Sequence, residues 1–285
     1  YIGAWLGFDI PVKLAVLLGV ALASTDPAAI IPMFKSIVLK NASIKDIVIC
    51  ESALNDVVGA MLTITAVSVM SGDAALTSVP NAYQQILGPE SLSVLLKQTV
   101  FGVLAGLGGY LLLKIFSWHK KGHDFEAGAD GAFFVFIPPF AFVMAMVFGG
   151  SGYLAVFIAG LLFHAPHHIS RTEKFFDHHI IEGYAKPTIF LFLGALVGAD
   201  FSSLMKYAPI GLLLAAIFIL IIRPISVLLS IGWAMKLGTE RLTWKEIIFI
   251  TSVRETGVIP AVLLVGIMAL KIPGTEALAS IGTWI

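Results

Sequence analysis

Residues 25–56 read TDPAAIIPMFKSIVLKNASIKDIVICESALND and place two carboxylates, Asp26 and Asp56, inside apolar sequence. Asp26 stands nine residues before Lys35, in a stretch that enters the apolar layer from one side. Asp56 stands eleven residues after Lys45, in the stretch that returns. At 1.5 Å rise per residue, both lie roughly 14–16 Å from the boundary marked by those lysines, the midplane of an approximately 30 Å hydrocarbon core. An ionised side chain at that depth costs roughly 2.5–3.5 kcal/mol on insertion scales, so one that is present either works or is paired. Two acids at one level, without an equal number of bases beside them, suit a cation or proton site.

The backbone around Asp26 supports the same reading. Pro27 removes a donor and disfavours helical angles at the preceding residue, and Pro32 follows five residues later. The helix is therefore expected to break in mid-membrane, leaving carbonyls and amides beside Asp26. Such breaks are tolerated where they line a cavity, and they build ion sites. A second interruption is expected at Thr256-Gly257-Val258-Ile259-Pro260 in the last complete apolar span. Interrupted segments in both halves of a chain are the sequence pointer to an inverted-repeat transporter.

Helical spacing then sorts the polar residues near Asp56. Ser52 and Asp56 are four apart, about 40° around the helix, and share a face. Glu51 and Asp56 are five apart, about 140°, and cannot both enter one site. Glu51 lies near the expected depth of Arg254, and the two read as a buried structural ion pair, since either would be costly alone. Arg223, beside Pro224, reads as an arginine near the cytoplasmic end of its span that snorkels to the interface. Glu255 adjoins Arg254 and offers a local countercharge.

The rest of the chain is membrane-like. Of its 285 residues 58% are hydrophobic and 13% charged, about half the charged fraction of a soluble domain. Eight complete apolar segments can be marked, at about 12–34, 47–71, 94–113, 132–148, 153–163, 187–199, 208–234 and 247–270. The fifth and sixth are short for a span and are expected to extend into their flanks. Lipid offers no partner to backbone groups, and dyad alternation is absent, so helices are expected rather than a barrel.

Loop charge gives the orientation. Lys35, Lys40, Lys45, Lys114, Lys120, Lys121, Arg171, Lys174, Lys186, Lys236, Arg241 and Lys245 all fall in one alternating set of loops. Only Lys206 and Lys271 fall in the other. The first set, residues 35–46, 114–131, 164–186 and 235–246, is expected to be cytoplasmic.

Zero net charge argues against nucleic acid, and the single cysteine, Cys50, excludes an internal disulfide or a cysteine-built metal site. The histidines 164, 167, 168, 178 and 179 read as a solvated or pH-responsive loop, with a metal site as the rival reading. No basic region precedes the first apolar run as in a signal peptide. Tyr1 opens mid-pattern and residues 279–285 read as an unfinished span, so further helices are expected beyond the N-terminal end.

Thr25-Asp26-Pro27, followed by Glu51-Ser52-x-x-Asn55-Asp56, resembles the monovalent cation:proton antiporters of the NhaP/NHE type. Arg223-Pro224 and the span bearing Arg254 fall in the order expected for that family, so the resemblance covers essentially the whole chain. It implies an all-helical membrane bundle with an inverted repeat and two interrupted helices crossing at mid-membrane, acting as a single transmembrane transport domain. Asp56 would be the carrier carboxylate. Asp26, Ser52 and the backbone of Thr25 would complete the cation site, and Asn55 would shape it. Glu51 with Arg254 would be structural. The cargo would be Na+, K+ or Li+ against H+, with no cofactor, in a homodimer. The Asn55-Asp56 pair resembles the electroneutral branch. One departure is that the family arginine is commonly followed by glycine, where Glu255 stands here. Another is that a further acidic ligand expected on an earlier helix would precede Tyr1.

Two other functions remain open on the residues alone. A sodium-coupled solute symporter could share the inverted-repeat plan but would need a larger polar cavity. An intramembrane aspartyl protease could use Asp26 and Asp56 as a dyad, although a Gly-x-Gly-Asp signature is missing.

Overall fold

The structure, a computed structural model, describes residues 11–24, 34, 41, 43–70, 84, 86–119, 129–163, 183–199, 201–237, 242–253, 258–270 and 275–285. All regular elements among them are helical. They are α1 (Val12–Ala21), α2 (Ser43–Met70), α3 (Pro89–His119), α4 (Ala129–Val147), α5 (Gly152–Leu162) and α6 (Lys186–Ala199). Then come α7 (Phe201–Ile217), a π turn (Phe218–Ile222), α8 (Arg223–Leu237), α9 (Trp244–Ser252), α10 (Val258–Ala269) and α11 (Thr275–Trp284). Among the described residues, three stretches are long and apolar enough to cross a bilayer: Ser43–Met70, Pro89–His119 and Phe201–Ile231.

The helix ends lie where local chemistry puts them. Helix α1 stops at Ala21, where Leu22 and Ala23 turn the chain and Ser24 follows fully buried. Of the segment expected at 12–34, Val12–Ala21 and Phe34 are helical and residues 22–24 are not; residues 25–33 lie outside the described set. The span expected at 247–270 is likewise two helices. α9 ends with Val253 out of helical geometry and α10 starts at Val258, with residues 254–257 outside the described set.

Helix α9 begins with a capping box, in which the Thr243 hydroxyl accepts from the Glu246 N–H and the Glu246 carboxylate accepts from Thr243. Helix α5 begins on a Ser151 cap, so it does not lengthen on that side as the sequence suggests; the residues past Phe163 lie outside the described set. Helix α3 overruns its expected 94–113 at both ends, because polar residues such as Glu90 and His119 continue a helix into the interface.

The chain divides into two compact units. One holds residues 1–59, 74–82 and 196–285; the other holds 60–73 and 83–195. Helix α2 contributes Ser43–Gly59 to the first and Ala60–Met70 to the second.

In the second unit, α3 packs on α5 through glycine. Cβ atoms at Gly102 and Gly106 would lie 3.0 Å and 2.7 Å from the carbonyl oxygens of Ser151 and Ala155. In lipid, where apolar contact with a neighbour gains little over apolar contact with a chain, such close backbone approach is what holds helices together. The chain enters α5 through Gly149, at φ +75, and Gly150, whose backbone lies against Phe101 and Gly102 too closely for a side chain.

In the first unit, Phe34, Ile44, Val48, Val227, Ile231, Ile247 and Ile250 form one buried apolar cluster. In the same unit, Trp284 of α11 fills the space left by Gly211 and donates its indole N–H to the Leu204 carbonyl at 2.8 Å.

The π turn keeps a buried stripe continuous. Ala208, Gly211 and Ala215 are buried on α7, and Arg223, Val227 and Ile231 on α8. No residue of the π turn itself is buried.

Candidate functional site

Helix α2 carries the site in the first unit. Its Asp56 is half-buried and accepts a hydrogen bond from the Ser24 hydroxyl, 32 residues back in the chain. Ser24 follows directly on the end of α1 and is shut off from solvent. The broken end of the first helix therefore does meet the carboxylate of the second. Ser52, one turn before Asp56, is 2% exposed, in keeping with a shared inward face. Asn55 turns aside, its amide donating to Glu51 Oε1 at 3.4 Å.

Glu51 is held by Arg223, an arginine not expected at this position. Arg223 pairs with it through both terminal nitrogens: Nη1 bonds Oε1, and Nη2 reaches Oε2 at 3.0 Å. This bidentate fork is the strong form of the interaction. The reading of Arg223 as an interface arginine is thereby corrected. It is 7% exposed and lies 14 residues, about 21 Å of helix, before the end of α8 at Leu237. Arg254, the expected partner, lies outside the described residues; among those described, the brace on Glu51 is Arg223.

The same guanidinium does a second job. Its Nη2 also donates to the carbonyls of Ile250 and Val253, each at 3.3 Å. Those are among the last carbonyls of α9, which have no partner within the helix and carry the negative end of its dipole. One cation thus ties α2 and α8 to the end of the second interrupted span. Only Nε of Arg223 lacks a partner among the described residues.

Thr25, Asp26, Arg254 and Glu255 lie outside the described residues, as do the five histidines of residues 164–179. The structure brings Ser52, Asn55 and Asp56 onto adjoining faces of α2 and adds Ser24 and Arg223, which the sequence reading had not placed at the site. Ser24 could have been found from its position: it immediately precedes the motif at which the helix breaks, where exposed polar groups are expected. Among the described residues, no group of His, Cys, Asp and Glu is arranged to hold a metal ion.

Residues 1–285, the whole chain, match the family described as sodium/hydrogen exchanger, transmembrane. The chain belongs to that family. Sodium/hydrogen exchangers are integral membrane proteins, in line with the apolar helices of this one. The chain is 28% identical over 280 residues to the K(+)/H(+) antiporter NhaP2 of Shewanella oneidensis, covering 96% of this chain and 44% of that protein. It is 32% identical over 252 residues to the K(+)/H(+) antiporter NhaP of Alkalimonas amylolytica, covering 87% of this chain and 39% of that one. It spans less than half the length of both. Its fold is that of the sodium proton antiporter MjNhaP1 of Methanocaldococcus jannaschii, with a TM-score of 0.68 at 24% identity over 98% of this chain and 69% of the other. The expectation of an all-helical membrane antiporter fold is met.

Proposed function

We propose that this sodium/hydrogen exchanger domain carries a monovalent cation, Na+ or K+, in exchange for H+, with Asp56 as the group both compete for. The observation that carries this reading is the half-buried Asp56 in mid-helix, held from the broken end of α1 by Ser24. A carboxylate there can bind a cation or a proton but not be left charged and bare at low cost. Only the neutralised site then crosses between inward and outward states, which couples the two fluxes.

Asp26, the Thr25 backbone and Ser52 complete the cation's oxygen shell in this proposal, and Asn55 shapes the site from beside Glu51. Glu51 and Arg223 brace the moving elements without touching the cargo. The single carrier acid on α2, preceded by Asn55, favours one-for-one exchange. The chain works as one transport domain in the cell membrane, with the lysine-rich loops 35–46, 114–131, 164–186 and 235–246 cytoplasmic, and pairs as a homodimer. The names of the relatives, K(+)/H(+) for two and sodium proton for the third, support the class of cargo and leave both ions in play.

The test is cation-driven proton movement in proteoliposomes, compared across Li+, Na+ and K+. Saturable exchange with at least one ion, insensitive to an imposed membrane potential, is the expected result. Transport that requires an organic solute, or no proton movement with any ion, would overturn the proposal.

A further inference from the structure

Gly59 sits three residues beyond Asp56 on α2, almost one turn, and Ser24 packs into the notch it leaves. A Cβ at residue 59 would lie 3.1 Å from Ser24 Cβ, 3.1 Å from Ser24 N and 3.4 Å from Ser24 Cα. Two of these three are backbone atoms, so the neighbour cannot yield by rotating a side chain. Any side chain at 59 would push the segment after α1 bodily away from α2. The same short segment delivers the Ser24 hydroxyl to Asp56 Oδ1. Distance and direction between the broken helix and the carboxylate are thus set together, by a missing side chain on one side and a hydroxyl on the other.

A general consequence follows for a site built from oxygen atoms on two separate segments. Selectivity among cations of equal charge depends on how far apart the oxygens are held, on their field, and on how freely they adjust. The Ser24 hydroxyl bonds one oxygen of Asp56 and so restrains the rotation of the carboxylate. Thr25 and Asp26, the co-ligands proposed above, follow Ser24 directly in the chain.

We propose that Ser24 and Gly59 form a spacer that sets the width of the cation site and thereby its preference among alkali-metal ions. Ser24 is a positioning residue here, acting through Asp56 rather than on the cargo. This rests on Asp56 being the carrier. The bland alternative is that the hydroxyl only satisfies a buried polar group. Then its loss would change stability but treat all ions alike.

The experiment measures half-saturating Li+, Na+ and K+ concentrations for proton movement in proteoliposomes. It compares the native protein with Ser24→Ala and Gly59→Ala, with melting temperatures alongside and Asp56→Asn as control. Losing a hydrogen bond to a charged group is worth roughly tenfold in an equilibrium constant. Ser24→Ala should therefore raise half-saturation about tenfold for the best ion and less for the others, with a smaller effect on maximal rate. Gly59→Ala, which widens the site but keeps the hydroxyl, should move the preference toward the larger ions. If Gly59→Ala fails to fold, Ser24→Ala decides alone, since it removes one atom and crowds nothing.

Ratios among the three ions identical to the native ones in folded Ser24→Ala would overturn the spacer. Exchange that survives in Asp56→Asn would instead overturn the carrier reading, so the two failures cannot be confused.

Discussion

The two halves of helix α2 make an internal comparison. Ser43–Gly59 carries Glu51 and Asp56, which meet an arginine from α8 and a hydroxyl from the broken end of α1. Ala60–Met70 carries only neutral groups. Its Thr65 accepts from the amide of Gln98 at 2.9 Å and donates to the Met61 carbonyl at 2.8 Å. Both halves are equally helical and both bury polar atoms, yet ionised groups are confined to the half whose partners lie at helix ends. In the other half, α3 is flanked by glycine contacts and one amide–hydroxyl pair. Charge costs most where it is buried, and it is spent only where the backbone is interrupted.

The sharpest way to break this contrast is to neutralise the carrier. Asp56→Asn keeps the shape and removes the titrating group, so exchange should vanish at every pH while the protein stays folded. Residual saturable exchange at any pH would place the carrier elsewhere.

The next effect is on stability. Glu51→Gln or Arg223→Gln strands one member of the pair, and breaking a buried pair costs about 3–5 kcal/mol, while changing both can be nearly neutral. Glu51 keeps 30% side-chain exposure, so its partner's isolation is partly relieved by screening and the lower end of that range is expected for the pair. Arg223→Gln should be the harsher change, because it also uncaps the Ile250 and Val253 carbonyls. A double-mutant cycle on melting temperature reads this directly; strictly additive losses would mean that the pair is not energetically coupled.

Gln98→Leu probes the neutral half. Its Oε1 has no partner among the described residues, and Thr65 still satisfies Met61 after the change. Exchanging the amide answers neither way for Nε2 and Oε1 together, since Thr65 can serve only one. The loss of the amide's bonds to Thr65 and, more weakly, to the Met61 carbonyl is thus offset by removal of a buried orphan. Stability should shift by no more than about 1 kcal/mol in either direction, and ion half-saturation should not move. A transport defect here would erase the distinction between the halves.

The smallest effect lies at the surface. The Thr243 backbone N–H, then its hydroxyl, hold the Glu246 carboxyl below the usual carboxylate range, helped by the Asn41 side chain and opposed by slight desolvation. A carboxyl lowered on folding stabilises above its ordinary value, and that contribution disappears as pH falls through the lowered one. Thr243→Ala should therefore melt slightly below the native protein near neutral pH, with the gap narrowing in acid. A gap that widens in acid would contradict the capping assignment.

Much of this was legible beforehand, for physical reasons. The all-helical membrane fold follows from long apolar runs whose backbone groups have no partner in lipid; the first helix, expected to break at Pro27, already ends at Ala21. Ser24 was missed because a hydroxyl residue carries little cost of its own and leaves no periodic trace. Arg223 was read at the interface because its place near one end of an apolar run was taken for depth; the structure buries it against Glu51 instead. Helix α3 exceeds its expected length because hydropathy marks the hydrocarbon layer, not the hydrogen-bonded ladder that runs past it.

The direction in which Arg223 points is set at the π turn. From Ala215 to Arg223 is eight residues, which on a regular helix would leave the arginine about 80° out of phase with the stripe through Ala208, Gly211 and Ala215. A turn closed five residues apart rather than four absorbs one residue and restores the phase. The four aliphatic residues 219–222 behave as a vernier, their outward side chains indifferent to which is present. Length, not identity, is what this segment encodes: losing one of those residues would leave seven between the stripes, which an ordinary helix accommodates, whereas gaining one would rotate Arg223 away from Glu51.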